Sequence, residues 1–126
     1  MIVGASGRSY DPLPIDNTAG FPQSFPFLFG RARYQFAVYV DVPESALGPI
    51  GEVMTLPDPQ RFLVVRVDAT DSAGDAETVF LRKVVPSLEY RVRDMMLTFP
   101  QQVVARRNLN SAGNFGSAVL GGVAAA

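Results

Sequence analysis

Residues 34–42 read YQFAVYVDV, and every second residue of this stretch carries a large apolar side chain. Successive side chains of a β-strand point to opposite faces of a sheet, so a period of two predicts a strand with one buried face. Two later stretches share the pattern. The apolar positions of the three are Tyr34, Phe36, Val38, Val40, Val42; Leu63, Val65, Val67; and Leu88, Tyr90, Val92. The sequence therefore predicts an all-β protein, built as a small antiparallel sandwich or barrel.

Turn-forming residues separate the predicted strands. Gly30–Arg33 is expected to turn the chain from a Phe-rich strand at 25–29 into the strand that follows. The link Asp71–Asp75 is expected to join the β-rich segments 61–70 and 77–85 in a second hairpin. Both segments of this hairpin carry apolar residues on both faces, which is typical of strands that are central or lie at an interface.

The remaining segments are less regular. The apolar positions change from even to odd numbers across Asp94, and a shift of one residue predicts a bulge or a tight turn there. Residues 43–60 are expected to form a long loop with one helical turn at Ser45–Leu47. Residues 101–107 fit a short last strand and a helical turn equally, so both alternatives stay open.

The two ends of the chain differ in composition from its middle. Residues 1–24 hold six glycines and prolines, which argue against a helix and predict an extended arm. Residues 108–126 are too rich in glycine for a stable helix and too apolar for a solvated linker. The predicted organisation is an extended arm at 1–24, a β domain at 25–107, and a Gly-rich apolar tail at 108–126 that packs on its own chain or on a neighbour.

The size and charge of the chain suit a single assembling domain. Its 126 residues fit one domain, and 11 basic against 12 acidic residues leave a net charge of −1. Such a chain has no overall field that attracts nucleic acid or anionic lipid, and little that keeps its copies apart. No apolar run approaches the roughly 18 residues that cross a bilayer, and the first residues lack the pattern of a signal peptide. We expect no membrane insertion.

Several common catalytic side chains are missing from the sequence. It has no histidine, cysteine or tryptophan, and therefore lacks the commonest general base and the thiol nucleophile. The carboxylates that a glycosidase would need have no recognisable spacing and are expected on a solvated face. These candidates are Asp41, Glu44, Asp68 and Glu89. We predict no enzymatic activity, no catalytic residue, no cofactor and no small-molecule substrate.

The acidic stretch from Asp68 to Glu77 raises the question of calcium. An EF-hand loop needs glycine at its sixth position and glutamate at its twelfth. Counted from Asp68, these positions hold Ala73 and Val79, so the pattern fails. A polar hairpin turn without a metal is the predicted structure.

Six of the ten arginines occur in three close pairs, and these pairs suggest an alternative function. The pairs are Arg31 with Arg33, Arg91 with Arg93, and Arg106 with Arg107. Aromatic residues next to the first pair would suit single-stranded nucleic acid on an OB-like barrel. The balance of acids and bases instead favours arginines that pair with carboxylates, so nucleic acid is the secondary hypothesis.

Apolar residues in the Phe-rich strand and in the tail are the expected contacts with other proteins. Pro22 and Pro26 cannot donate backbone hydrogen bonds, which predicts an edge strand or an arm along a surface. We expect addition of strands at sheet edges and burial of the apolar ends on neighbours. The residues expected at the interface are Phe25, Phe27, Phe29, Tyr34, Phe115, Val119 and Leu120.

Residues 12–42 also carry a resemblance. Leu13-Pro14-Ile15-Asp16-Asn17, followed by the Phe-rich segment, a glycine turn and Tyr34-Gln35-Phe36, resembles small virion structural proteins of tailed bacteriophages, of the baseplate-plug type. The resemblance implies a compact β-sandwich or barrel docked among other virion proteins, in multiple copies of a symmetric assembly and without an enzymatic role. It implies a location in the virion, after synthesis in the host cytoplasm. A capsid decoration or cement protein is the alternative within the same particle.

Overall fold

The computed structural model describes all 126 residues as two antiparallel β-sheets that share one core. In chain order the strands are β1 (Ile2–Val3), β2 (Ser9–Pro12), β3 (Gln23–Phe29), β4 (Ala32–Asp41), β5 (Val53–Thr55), β6 (Phe62–Thr70), β7 (Ala76–Val84), β8 (Glu89–Val92), β9 (Met95–Ala105) and β10 (Ala118–Ala125). Two 3₁₀ turns span Glu44–Ala46 and Arg106–Asn108. No helix of the chain is long and apolar enough to cross a membrane.

The strand order confirms an all-β sandwich. One sheet runs β1-β2-β10-β9-β5, with β8 also paired to β9, and the other runs β3-β4-β6-β7. Neither sheet closes on itself, so of the two predicted forms the structure has the sandwich and not a closed barrel. β3 lies at the edge of its sheet, as the prolines of the Phe-rich segment predicted.

The buried positions of β4 and β6 confirm the predicted alternation of apolar residues. Phe36, Val38, Leu63, Val65 and Val67 are fully buried between the two sheets. Each such side chain contributes roughly 1.5–3 kcal/mol relative to its exposed state. These residues come from β4 and β6, the two central strands of the four-stranded sheet, and their burial holds that sheet against the other.

The predicted turns are present. β3 pairs with β4 and β6 with β7, which confirms both hairpins. β8 and β9 are joined through Arg93 and Asp94, with Arg93 in the left-handed region at φ 54°. The change of parity at Asp94 is thus a tight turn. Both open alternatives for residues 101–107 occur in succession, since β9 continues to Ala105 and a 3₁₀ turn follows.

The two ends of the chain belong to the same sheet. β10 lies between β2 and β9, and β2 pairs with it through Pro12 and Gly122. The expectation that the apolar ends are buried on neighbouring proteins is therefore corrected. The long strand β9 offers a free edge within the chain, and pairing there satisfies the backbone without the entropy cost of recruiting a second molecule.

The motif at 13–17 fastens the chain to β10. Leu13 is buried, and its backbone nitrogen donates a 2.8 Å hydrogen bond to the carbonyl oxygen of Gly121. The side-chain amide of Asn17 accepts from the nitrogen of Val119 at 2.7 Å and donates to its carbonyl at 3.2 Å. Asn17 thus takes the place of a neighbouring strand, and the segment then leads the chain across to β3.

Candidate functional site

A cleft of about 920 Å³ opens at one end of the sandwich, and we call it the end cleft. One wall consists of the last part of β4 and the loop after it. Its apolar residues are Tyr39, Val40, Val42, Leu47 and Ile50. Phe21 and Pro22 also line the cleft. The opposite wall consists of the 3₁₀ turn after β9 and the loop 109–117.

Arg106 ties the two walls together. Its backbone nitrogen donates a 2.9 Å hydrogen bond to the carbonyl of Glu52, and its guanidinium donates at 2.7 Å to the carbonyl of Gly48. The loop after β4 contains several glycines and prolines and has few internal hydrogen bonds of its own. The arginine therefore fixes where this wall stands.

Asn108 shapes the opposite wall. It is fully buried, its amide nitrogen donates to the carbonyls of Ser111 and Gly113, and its amide oxygen accepts from the hydroxyl of Ser117 at 2.6 Å. A buried amide with all these bonds made is strongly directional, so it sets the course of the loop. The sequence reasoning missed Asn108, because a single asparagine after two arginines carries no pattern.

Arg107 and Phe115 form the rim of this wall. The guanidinium carbon lies 5.7 Å from the centre of the ring, within the range of a cation–π contact. Phe115 is 37% exposed, and Ile50 on the facing wall is 57% exposed. The end cleft thus combines uncovered apolar surface with two cationic side chains, and no carboxylate lines it.

The structure separates the predicted interface residues. Phe25, Tyr34 and Val119 are buried in the core, which corrects their assignment to an intermolecular surface. Phe25 stacks on Phe36 of the neighbouring strand, with ring centres 5.3 Å apart. It is buried although β3 is an edge strand, because the inner face of an edge strand is still part of a sandwich core. Their apolar area is already covered within the chain.

The other four predicted residues retain some exposure. Phe27 and Phe29 are half-buried against the core, and Leu120 is 42% exposed on β10. Phe115 alone lies in the end cleft, where the fold brings it next to the basic pair Arg106 and Arg107. Phe27, Phe29 and Leu120 do not line the end cleft and lie elsewhere on the surface.

The carboxylates are dispersed, and local groups engage three of them. Asp41 faces Lys83 at 3.6 Å, and Glu89 accepts a hydrogen bond from the hydroxyl of Tyr10. The hydroxyl of Thr78, followed by the guanidinium of Arg66, lowers the pKa of Asp68. No cluster of three or more potential metal-ligating side chains occurs.

The acidic link after β6 is a hairpin turn. One carboxylate oxygen of Asp71 accepts hydrogen bonds of 2.9 Å from the backbone nitrogens of Ala73 and Asp75. Among the other basic pairs, Arg93 reaches Glu77 at 3.2 Å, so one of the expected arginine–carboxylate pairs is present.

Comparisons with known proteins give one partial likeness. No family profile matches the chain, and no solved structure matches it significantly. Over 95 residues the chain is 25% identical to the rRNA 2'-O-methyltransferase fibrillarin of Debaryomyces hansenii. The match covers 75% of this chain and 29% of that protein, so the chain spans less than a third of the curated relative.

Proposed function

We propose that the chain is a structural subunit without enzymatic activity, which joins other proteins in a multi-copy assembly through its end cleft. One observation carries the proposal. The end cleft leaves Phe115 and Ile50 exposed beside mainly apolar walls, while the chain has folded its own termini elsewhere. Uncovered apolar surface of this kind, concave and rimmed by polar groups, is typical of an interaction site.

The assembly that we propose is the virion of a tailed bacteriophage, with the subunit in its tail or baseplate. The support is the resemblance of residues 12–42. In the fold, the motif at 13–17 fastens the chain to β10 and the Phe-rich residues form the β3–β4 hairpin. A capsid decoration or cement protein would use the same end cleft in another part of the particle.

The edges of the four-stranded sheet support docking by the cleft rather than by strand addition at β3 or β7. β3 contains Pro26, which cannot donate a backbone hydrogen bond. β7, the other edge of that sheet, carries Arg82 and Lys83 and is interrupted by a bulge near Val79. Proline, charge and bulges are the features that discourage another strand from pairing with an edge.

Particle composition tests the proposed function. Virions from the source of this gene would be purified on a density gradient, washed in high salt and analysed with an antibody against the chain. We expect the chain in the washed particles at a fixed ratio to their major subunits. Its absence from washed particles would overturn the proposal.

A matched pair of variants assigns the contact to the end cleft. Phe115→Ser removes exposed apolar area from the rim of the cleft, whereas Leu28→Ser does so on β3, where Leu28 is 64% exposed. We expect Phe115→Ser to reduce incorporation into particles severalfold and Leu28→Ser to leave it unchanged. Equal incorporation of both variants would contradict the role of the cleft.

Single-stranded nucleic acid is the second candidate, because the end cleft places Tyr39 and Phe115 beside Arg106 and Arg107. Aromatic faces and arginines in one groove are the common means of binding single strands. A fluorescence-anisotropy titration with a labelled oligonucleotide separates the candidates. Binding that weakens steeply with salt would favour nucleic acid, and no binding at low ionic strength would remove it.

A further inference from the structure

The arginines of the end cleft lack an acidic partner within the chain. None of the five salt bridges includes Arg106 or Arg107. Arg106 spends part of its hydrogen-bonding capacity on the carbonyl of Gly48, and Arg107 lies over an aromatic ring. A guanidinium has five donors, so both side chains retain donors for an anion.

Two acidic residues that follow the first wall of the cleft along the chain, Glu52 and Asp58, are engaged with another arginine. The backbone of Glu52 contacts Arg106, yet its carboxylate binds the guanidinium of Arg61 at 2.7 Å. The same guanidinium binds Asp58 at 2.5 Å, and these contacts raise the pKa of Arg61 and keep both acids on it. Neither of these two carboxylates forms an ion pair with Arg106 or Arg107.

The walls of the end cleft indicate which other chemical groups a bound molecule would carry. Val40, Val42, Leu47 and Ile50 offer aliphatic surface, which favours apolar side chains. Asn110 and Ser111 lie on the lining as polar groups that suit a guest with amide groups. A polyanion would be attracted only weakly, because the cleft has two arginines and the chain has a net charge of −1. It would also leave the aliphatic wall of the cleft uncovered.

We propose that the end cleft receives an extended segment of a neighbouring subunit in which apolar side chains are flanked by carboxylates. The inference rests on the proposed function, since it names the chemistry of the partner at the same site. The apolar side chains pack between the wall of β4 and Phe115. The carboxylates accept hydrogen bonds from Arg107 and from the free donors of Arg106, and such charge-assisted bonds fix the direction of the segment.

Short peptides are the probes for this inference. The ¹⁵N-labelled chain would be titrated with acetylated, amidated Asp-Leu-Leu-Asp and with three matched peptides, Asn-Leu-Leu-Asn, Lys-Leu-Leu-Lys and Asp-Gly-Gly-Asp. We expect shifts of backbone amides at 39–50 and 106–116. The acidic leucine peptide is expected to bind about three- to tenfold more tightly than its amide counterpart, as one or two partly exposed ion pairs would give.

Variants separate charge from apolar contact. Arg107→Gln is expected to remove the preference for aspartate over asparagine, while Ile50→Ser weakens both leucine peptides alike. Arg82→Gln is the control, because Arg82 lies on β7 outside the end cleft and forms no salt bridge. Thermal unfolding of each variant verifies that it is folded.

Several results would overturn the inference. They are equal binding of the acidic and basic peptides, shifts confined to other surfaces, an unchanged preference in Arg107→Gln, or no binding at millimolar peptide. Concentration-dependent self-association that Arg107→Gln abolishes would place a second copy in the end cleft and overturn the assignment as well. If the chain is present in washed particles but the peptides fail, this inference falls and the structural role stands.

Discussion

A methyl group on Gly122 would lie 2.7 Å from Cβ of Tyr10 and 3.4 Å from Cδ1 of Ile2. Tyr10 is 1% exposed and is placed across β10, so that its hydroxyl reaches Glu89 at 2.6 Å. The close approach of the first strands to β10 thus depends on a missing side chain. The atom in the way is the root of the tyrosine side chain, which cannot swing aside without moving β2.

Gly122→Ala is predicted to destabilise the protein by about 1–3 kcal/mol, the usual cost of overpacking. Urea unfolding followed by circular dichroism measures the change. Gly51→Ala is the control, since a Cβ at Gly51 meets no atom within 4 Å. Equal stabilities of the two variants would show that β2 yields without cost.

The ionisation of Glu89 makes the stability of the fold depend on pH. The hydroxyl of Tyr10, and after it the side chain and backbone nitrogen of Ser6, lower the pKa of Glu89 from its ordinary 4.5. A carboxylate with a lowered folded pKa stabilises the fold above the unfolded value and loses this effect as pH falls through the folded value. Asp16, Asp58 and Asp68 also have lowered pKa values, so their contributions have the same sign.

The free energy of unfolding is therefore predicted to fall below about pH 4.5, and Glu89→Gln to make this fall shallower. Burial, and then the contact with Glu89, raises the pKa of Tyr10 to about 12, so stability should also decline as pH rises above 10.0. Urea unfolding between pH 3 and pH 11 measures both limbs. An identical acid limb in Glu89→Gln would contradict the assignment.

At the scale of elements, β10 decides how the six-stranded sheet is built. It pairs along β9 from Ala118 opposite Val103 to Ala125 opposite Met95, and β2 pairs on its other side. Removing it would expose the backbone edges of both neighbours and uncover the core around Val119 and Val123. β1, in contrast, pairs only with β2 at the margin of the sheet.

Deletion of residues 118–126 is predicted to abolish cooperative unfolding, whereas deletion of residues 1–7 should retain it with a lower midpoint. The reason is that the first deletion removes an interior strand and the second an edge. Circular dichroism during urea titration distinguishes the two cases. A folded 118–126 deletion would mean that β2 can pair with β9 directly.

The bulge in β9 explains why residues 101–107 resisted interpretation from sequence. Leu120 pairs with Gln101 and Gly122 with Thr98, so Gly121 alone faces both Phe99 and Pro100. The extra residue moves the buried positions from odd to even numbers, and Gln102 and Val104 are buried after it. A period of two cannot be followed through such a shift without knowing the partner strand.

At the scale of the whole molecule, both sheets depend on one core. Its 21 buried residues come from both sheets and include Leu13 and Phe21 near the start of the chain and Val119 and Val123 near its end. Neither sheet can exclude water from its apolar inner face without the other. The molecule is therefore expected to unfold as one unit, as most single domains of this size do.

Unfolding in urea should show the same midpoint by backbone circular dichroism and by the near-ultraviolet signal of the tyrosines. Tyr10 and Tyr90 report the six-stranded sheet and Tyr34 the other, and all three are buried. Two separated transitions would contradict a common core. Limited proteolysis of the folded chain should likewise leave both ends intact, because both are paired in one sheet.

The sequence by itself determined the all-β class, both hairpins and the inward positions of β4 and β6, because alternation and turn chemistry are local properties of a strand. The tertiary structure alone decided that the ends fold onto each other and that Phe115 meets Arg107 beside the wall of β4. Contacts such as Asn17 with Val119 join residues 102 positions apart. Which sheet edge a segment selects depends on every other edge in the molecule, and no local pattern encodes that choice.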